Sequence, residues 1–510
     1  MRKSLVATAA LGLALATAPA YAAPARKPNV IVILADDLGY GDTGVYGSTF
    51  VKTPNIDALA ADGVRFTQGY VSHPVCAPSR AALLTGRYQT RFGYEFNPVG
   101  RDRTSGVSLD ETFIGEVMQK AGYRTGMVGK WHLGESGGYH PVARGFDEFF
   151  GTTAGANAFI IDTKPGDEFH TPRGAEGSYG TVEGGAGLGD GPEIEQMVRL
   201  RERAPITRGR EVVEVKEYLT DAFTDEAVRF IGANKDKPFF LYLSHTTPHT
   251  PLQAPAKYID RYRHIENKGQ RVYAAMVSSL DDSVGAVRAK LKAEGLEKDT
   301  LIILLSDNGC AGYIGDACTN APLNGYKGMH LDGGVRVPFI MTWPGHLAPK
   351  VETRVISSLD IAPTAAALAG ATMPKGSDGV NLVPYLTGKK TGAPHTALYW
   401  RSGVNFAIRD GDWKMWMINR AEPSEVASNA ARVTPEGVKA ELSPRGHFVM
   451  LYDLKADPGE TTNLAATRPD VVAKLKARIE AWDKGNVPPQ WTSMRQSVRE
   501  VEGELVKLYP

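Results

Sequence analysis

Four apolar segments, each ending in polar residues, constrain the fold of this chain more than any other feature. They are NVIVILADD, TGMVGKWH, PFFLYLSHTTPH and TLIILLSDNG. Uninterrupted apolar runs of this kind are typical of strands that are buried on both faces of a parallel sheet. Amphipathic helical patterns alternate with them from Lys27 to about Gly370. The sequence therefore predicts an α/β fold, with a large mixed, mostly parallel sheet flanked by helices.

The helical patterns between these strands have clear start and stop signals. One begins at Pro54 and ends before Gly63. The longest runs from Met276 to Leu291 with a period close to 3.6 residues, and Gly295 ends it. We expect this long helix to pack against the sheet.

The alternation of strands and helices fades after about Lys390. The segment ALYWRSGVNFAIRDGDWKMWMI is typical of antiparallel strands around a turn at Asp410-Gly411, and a helix is expected near Val471 to Trp482. Residues 27–390 are thus the predicted main domain, and residues 391–510 a smaller C-terminal subdomain with an antiparallel sheet.

Within the main domain, residues 154–215 are expected to form an insertion or long loop. Eight glycines lie between Gly174 and Gly191, with few apolar residues to bury. Five arginines follow, which either shape a pocket or belong to solvated surface: Arg199, Arg201, Arg203, Arg208 and Arg210.

Residues 1–22 are typical of a cleaved signal peptide. Arg2 and Lys3 precede a short apolar run that ends in Ala20-Tyr21-Ala22. A membrane anchor needs about 20 uninterrupted apolar residues, more than this run offers. We therefore expect a secreted or periplasmic protein without a membrane span. The 58 basic and 57 acidic residues nearly cancel, which argues against nucleic acid as a partner.

Three cysteines are an odd number for an exported chain. Cys310 and Cys318 are close in sequence, and we predict a disulfide between them. That pairing leaves Cys76 alone. An exported free thiol is open to oxidation unless it is buried, used or chemically converted.

Acidic and amide side chains follow two of the predicted strands. Asp36 and Asp37 end one of them, and Asp307 and Asn308 end another. Oxygen ligands of this kind suit calcium or magnesium and are poor for zinc. Surface turns and helix caps use the same residues, but ligands of open α/β sheets bind beyond the carboxyl ends of the strands. Two acidic strand ends in one sheet thus favour a metal site.

The most specific motif is CAPSRAALLTGR, which begins at Cys76. Pro78 can open a helix, so the cysteine is expected at its positive end, with Arg80 close by. With this motif the chain resembles the sulfatase family of the alkaline-phosphatase superfamily, which includes arylsulfatases and carbohydrate sulfatases. The resemblance implies that a formylglycine-generating enzyme oxidises Cys76 to formylglycine, the nucleophile, and that Arg80 supports it.

Other segments match the same family. LADDLGYGD and SDNG resemble its calcium loops, whereas GKWHLG, PHTP and YKGMHLDGGVRVP resemble its sulfate-binding and catalytic segments. The implied ligands of one calcium ion are Asp36, Asp37, Asp307, Asn308 and residue 76. The implied catalytic and substrate-binding residues are Lys130, His132, His249 and Lys327. The hydroxyl group that orients the active-site histidine in the family has no assigned match here.

The implied activity is hydrolysis of sulfate esters. A hydrated aldehyde carries two hydroxyls, one to attack sulfur and one whose deprotonation expels sulfate. His132 is the candidate base for that second step, and His249 the candidate acid for the leaving group. Lys130 and Lys327 are expected to hold the sulfate oxygens. His245 lies outside the matched motif and is interpreted as structural.

The substrate class is less constrained than the reaction. By its resemblance to members of the family, the Gly-Tyr-Lys-Gly context of Lys327 favours carbohydrate sulfates. Aryl sulfates, or phosphonate and phosphate diesters, are the alternatives within the superfamily. A non-catalytic protein that binds sulfated glycans is expected to lack the nucleophile or the metal ligands, and this chain has both.

Overall fold

The computed structural model describes residues 27–98, 105–170, 194–374, 376–428, 437–494 and 496–509. The predicted signal peptide and the glycine-rich stretch at 174–191 lie outside these residues. Among the helices that are described, none combines the length and the apolar character needed to cross a membrane.

The described strands and helices alternate along most of the chain. The strands are β1 (Asn29–Ala35), β2 (Val64–Phe66), β3 (Gly69–Tyr70), β4 (Arg124–Lys130), β5 (Glu148–Thr152), β6 (Glu168–His170), β7 (Thr207–Arg208), β8 (Glu211–Val212), β9 (Phe239–Ser244), β10 (Leu252–Ala254), β11 (Thr300–Ser306), β12 (Phe339–Thr342), β13 (Lys350–Glu352), β14 (Ile356–Ser357), β15 (Ala397–Ser402), β16 (Asn405–Asp410), β17 (Trp413–Asn419), β18 (His447–Asp453), β19 (Ser497–Val501) and β20 (Glu504–Leu508). The α-helices are α1 (Pro54–Ala61), α2 (Cys76–Thr85), α3 (Ile114–Lys120), α4 (Ile194–Arg203), α5 (Leu219–Ala233), α6 (Ala256–Ile259), α7 (Lys268–Ala293), α8 (Asp332–Val335), α9 (Ile361–Leu368), α10 (Val383–Leu386) and α11 (Pro469–Asp483).

The four apolar segments form the centre of one large sheet. Its ten strands have the order β13-β2-β12-β11-β1-β9-β4-β5-β7-β8. β11, β1, β9 and β4 are neighbours in it and run parallel, whereas β12 and β7 join antiparallel. The predicted fold class, a mixed and mostly parallel sheet between helices, is confirmed.

Helices cover both faces of this sheet. On one face, Ile31 and Ile33 of β1 share a hydrophobic cluster with Met276 of α7, as predicted for the long helix. On the other face, Val30 and Val32 share a cluster with α2, α3 and α9. The central strands are therefore buried on both sides, which explains their uninterrupted apolar sequence.

The predicted C-terminal strands form a separate antiparallel sheet in the order β15-β16-β17-β18. One of its faces packs on α11 through Ile408 and Leu475. Its other face buries Trp400 and Trp416 in the same cluster as β1. The small sheet is thus packed between α11 and the main domain, beginning just after the predicted boundary at residues 390 and 391.

The predicted insertion contains more regular structure than expected. Its described residues include α4 and the β7–β8 hairpin, which extends the edge of the large sheet. Buried Arg201 donates hydrogen bonds to Asn157 and to the carbonyl of Val215. Arg208 makes two hydrogen bonds to Glu226. These two arginines therefore support the segment instead of lining an open pocket.

The close packing of β4 against β9 generates a stability prediction. Gly129 has φ +107°, and an added Cβ would lie 1.9 Å from the carbonyl oxygen of Ser244. Gly129→Ala is therefore expected to cost about 2 to 5 kcal/mol of unfolding free energy, measured by denaturant titration.

Gly122→Ala is the matched control for this substitution. Gly122 also has a positive φ, +86°, but no atom lies within 4 Å of its added Cβ. Its cost should be that of the backbone conformation alone, about 1 to 2 kcal/mol. Equal losses in the two variants would contradict the packing argument.

Candidate active site

The carboxyl ends of the central strands bring the predicted site residues together. Asp36 and Asp37 follow β1, Asp307 and Asn308 follow β11, and Lys130 is the last residue of β4. All five side chains are buried. This edge of the sheet therefore concentrates charge in a region that excludes water.

Cys76 faces this group of charges from the first turn of α2. Its Sγ lies 3.5 Å from Asp36 Oδ1 and 3.9 Å from Asp37 Oδ1. Burial raises the pKa of the thiol above its ordinary value, although the Lys130 and Lys327 cations act in the opposite direction. The thiol is therefore protonated at neutral pH and is a weak nucleophile as it stands. The helix begins at Cys76 itself, two residues before Pro78, the residue that was predicted to open it.

Among the described cysteines, Cys76 is the one left free. A disulfide joins Cys310 to Cys318. These two residues lie in the loop that follows β11, directly after the Asp307 and Asn308 pair.

Arg80 lies one helical turn after Cys76 and is fully buried. Its Nε and Nη2 atoms lie 2.9 and 2.8 Å from Asp307 Oδ2. Its Nη1 atom donates hydrogen bonds to the Lys130 carbonyl, at 3.0 Å, and to the Ser244 hydroxyl, at 2.5 Å. One guanidinium group thus connects α2 with the ends of β11, β4 and β9.

Two lysines pair with the aspartates after β1. Lys130 Nζ lies 2.7 Å from Asp36 Oδ2, and Lys327 Nζ lies 2.7 Å from Asp37 Oδ1. Burial alone raises the pKa of Asp36, but the Lys130 ammonium holds it below its ordinary value. Lys327 has the same effect on the pKa of Asp37, against the effect of burial. Both carboxyl groups are therefore ionised at neutral pH.

The donor set at this edge fits a hard metal ion. Asn308 Nδ2 donates to Asp37 Oδ1 at 2.7 Å. Asn308 Oδ1 is buried and accepts no hydrogen bond from any residue that the structure describes. This oxygen and the carboxylates of Asp36, Asp37 and Asp307 provide only oxygen ligands, the preference of calcium and magnesium.

His249 lies beside the same carboxylates. Its Nδ1 is 2.6 Å from the carbonyl oxygen of Thr250, so Nδ1 carries the proton because a carbonyl can only accept. Its Nε2 is 3.6 Å from Asp37 Oδ2. The atom at which this histidine can take up or release a proton therefore points toward the site.

His132 follows β4 and has a positive φ of +61°. Burial lowers the pKa of His132 well below its ordinary value, and the Lys130 and Arg80 cations lower it further. Its Nδ1 is buried without a hydrogen-bond partner among the described residues. An added Cβ at Gly155 would lie 2.4 Å from its Nε2, so a glycine packs on the ring. The ring is thus neutral and held by packing.

His245 has a different environment from the other two histidines. Its Nε2 lies 2.9 Å from the hydroxyl of Ser283 in α7. This contact places it in the interface between β9 and α7, in agreement with its structural interpretation.

The arrangement of cysteine, arginine, lysines and carboxylates can be compared with known families. The sequence model of one family, described as Sulfatase, matches residues 28–371. The chain belongs to the sulfatase family.

Individual relatives match this sulfatase over nearly its whole length. Arylsulfatase A of Homo sapiens is 34% identical over 503 residues, which cover 93% of this chain and 89% of the relative. N-acetylgalactosamine-6-sulfatase of Mus musculus is 31% identical over 519 residues, covering 97% and 92%. The solved structure of Ps i-CgsB in complex with k-i-k-neocarrahexaose has a TM-score of 0.75 and 33% identity, covering 92% of this chain and 95% of that one.

Two residues of the sulfatase site were missed by the sequence analysis. Ser244 accepts from Arg80 and donates to the Lys130 carbonyl at 2.8 Å. Tyr313 places its hydroxyl 3.4 Å from Asp37 Oδ2. Ser244 could have been found as the polar end of a predicted strand, but Tyr313 lies in a loop that carries no such signal.

The contacts of Arg80 generate a prediction for the sulfatase. Arg80→Ala leaves Asp307 and Asp36 buried without this cation, so it should cost about 3 to 5 kcal/mol of unfolding free energy, measured by urea titration. Arg87→Ala is the control from the same motif. The Arg87 pair with Glu111 has side chains 30% and 10% exposed, and it should cost about 1 kcal/mol or less. Similar losses in both variants would refute the central position of Arg80.

Proposed function

We propose that this sulfatase removes sulfate from sulfated carbohydrates, with formylglycine at position 76 and one bound calcium ion. The observation that carries the proposal is the position of Cys76. Its side chain is buried at a helix N-terminus, among ionised carboxylates and next to Arg80. A protonated thiol in this place is a weak nucleophile, which supports its conversion to an aldehyde by a formylglycine-generating enzyme.

When formed, the aldehyde supplies a hydrate with two hydroxyl groups, one to attack sulfur and one to restore the aldehyde as sulfate leaves. The residues around position 76 would hold and orient these hydroxyls. Asp36 and Asp37 lie within 4 Å of the Cys76 sulfur. Arg80, one turn along α2, fixes Asp307 beside them.

Calcium would be held by the oxygen ligands that follow β1 and β11. They are Asp36, Asp37, Asp307, Asn308 and an oxygen of residue 76. When bound, the ion supplies electrostatic stabilisation of negative charge on the attacking oxygen. Asn308 Oδ1 supports this assignment, because it accepts no hydrogen bond within the described part of the chain and a buried amide oxygen without a donor is costly unless it has a ligand.

The lysines and histidines would bind the ester and move protons. Lys130 pairs with Asp36 and Lys327 pairs with Asp37, and both ammonium groups would bind sulfate oxygens. Since the Nδ1 proton of His249 is engaged with Thr250, His249 would give a proton from Nε2 to the departing sugar oxygen as the imidazolium. Burial lowers the pKa of His249, and the Asp37 carboxylate opposes that effect in favour of the imidazolium. His132, kept neutral by burial, would accept the proton of the second hydroxyl of residue 76.

A sulfated carbohydrate is the substrate class that the relatives favour. One relative is named N-acetylgalactosamine-6-sulfatase, and a structural neighbour was solved in complex with k-i-k-neocarrahexaose. We propose that the protein acts on such glycans after export to the periplasm or outside the cell, in line with the signal peptide predicted at residues 1–22.

The first test of this proposal is the chemical state of residue 76. Peptide mass across residues 75–80 of active protein should show formylglycine, and sulfate should be released from at least one member of a set of defined sulfated mono- and disaccharides. Cys76→Ala should fold with an unchanged unfolding midpoint and release none. Full activity with an unmodified cysteine at position 76 would contradict the proposed chemistry.

A second prediction concerns the proton donated by His249. Sugar alkoxides are poor leaving groups that need a proton, whereas nitrophenolate departs unaided. His249→Ala should therefore lose about 10² to 10⁴ in kcat/KM on a sulfated sugar and much less on nitrophenyl sulfate. His245→Ala, four residues away, is the control and should show no such dependence on the leaving group. Equal losses of kcat/KM on both esters for His249→Ala would show that His249 is not the acid.

A further inference from the structure

A tyrosine hydroxyl lies in the active site beside the residues already discussed. Tyr313 is half-buried in the loop between Cys310 and Cys318. Its hydroxyl lies 3.4 Å from Asp37 Oδ2 and 3.5 Å from Thr250 Oγ1. Thr250 is the residue whose carbonyl fixes the ring of His249.

Three polar groups surround the same oxygen of Asp37. Lys327 Nζ lies 2.8 Å from Oδ2, the Tyr313 hydroxyl 3.4 Å, and His249 Nε2 3.6 Å. The contact of the Tyr313 hydroxyl with Asp37 is long for an O–H···O hydrogen bond, and the Lys327 ammonium has three N–H groups. The Tyr313 hydroxyl and part of the Lys327 ammonium are therefore available to a bound ester.

We propose that Tyr313 is a substrate-binding residue, whose hydroxyl donates a hydrogen bond to the sulfate group of the ester next to Lys327 and His249. The inference rests on the proposed function, because the sulfate group must occupy the space beside Asp37. It commits the phenol to the sulfate group and not to the sugar, since the carboxylate that the hydroxyl approaches is the one that Lys327 binds.

The loop that carries Tyr313 is closed and anchored at both ends. The disulfide joins residues separated by 8 positions. The Lys327 backbone N–H donates to the Cys310 carbonyl at 2.9 Å, and Thr319, next to Cys318, donates its backbone N–H to Asp42 at 2.8 Å. The disulfide therefore holds Tyr313 in the same rigid unit as Lys327, which makes Cys310 and Cys318 positioning residues for the phenol.

Binding without turnover tests this assignment directly. In the calcium-loaded Cys76→Ala background, calorimetry should measure Kd for nitrophenyl sulfate and for N-acetylgalactosamine 6-sulfate. Tyr313→Phe keeps the ring and removes the donor, so it should weaken binding of both esters by the same factor, about tenfold. Tyr326→Phe is the matched control, because the Tyr326 ring packs on Gly312 of the same loop. The Kd values of this variant should not differ from those of the Cys76→Ala background.

A second pair of variants tests the role of the disulfide. Replacing Cys310 and Cys318 together by serine should weaken ester binding when Tyr313 is present. In the Tyr313→Phe protein, the same replacement should weaken ester binding little further. Equal weakening in both backgrounds would contradict the positioning role of the disulfide.

The outcomes separate this inference from the proposed function. If wild-type protein releases sulfate and Cys76→Ala binds both esters, but Tyr313→Phe binds them equally well, the assignment of Tyr313 is wrong. Weaker binding of the sugar ester alone would also overturn it, because the contact would then be with the sugar. If wild-type protein releases no sulfate and neither ester binds, the proposed function fails, and this inference fails with it.

Discussion

Burial of three carboxylates at one sheet edge is the constraint on which the site depends. Asp36, Asp37 and Asp307 are each almost fully buried, and an isolated charge in such a place is costly unless it is paired. Arg80 and Lys130 supply two of the compensating cations from α2 and β4. The positions of the helix and the strand ends are thereby linked to the charge balance of the site.

The C-terminal sheet also contacts the segments that carry the site residues. The Ser402 hydroxyl of β15 lies 2.8 Å from His73 Nε2 and 3.3 Å from His330 Nε2. His73 is three residues before Cys76, and His330 is three residues after Lys327. The small sheet therefore contacts the segments that carry the candidate nucleophile and Lys327, for which sulfate binding is proposed. It thus has a role in site geometry besides covering apolar surface.

The parts of this protein that were predictable from sequence are those with local causes. Apolar runs buried on both faces identified the four central strands, and the polar residues that end them identified Asp36 and Asp307. Tyr313 and the partnership of Ser244 with Arg80 were not predictable, because they depend on how separate segments meet. The roles carried over by family resemblance, including those of His132 and His249, stay predictions.

A matched pair of esters tests the central claim most directly. The kcat/KM for a sulfate ester should be compared with that for the phosphate monoester and diester of the same alcohol, on protein with residue 76 fully converted and calcium present. The account predicts a clear preference for the sulfate ester. A phosphate monoester brings a second negative charge next to the buried carboxylates, and a phosphate diester has a second alkyl group in place of one of the oxygens assigned to Lys130, Lys327 and the calcium site. A higher kcat/KM on either phosphate ester would contradict it and would make this member of the sulfatase family a phosphoester hydrolase.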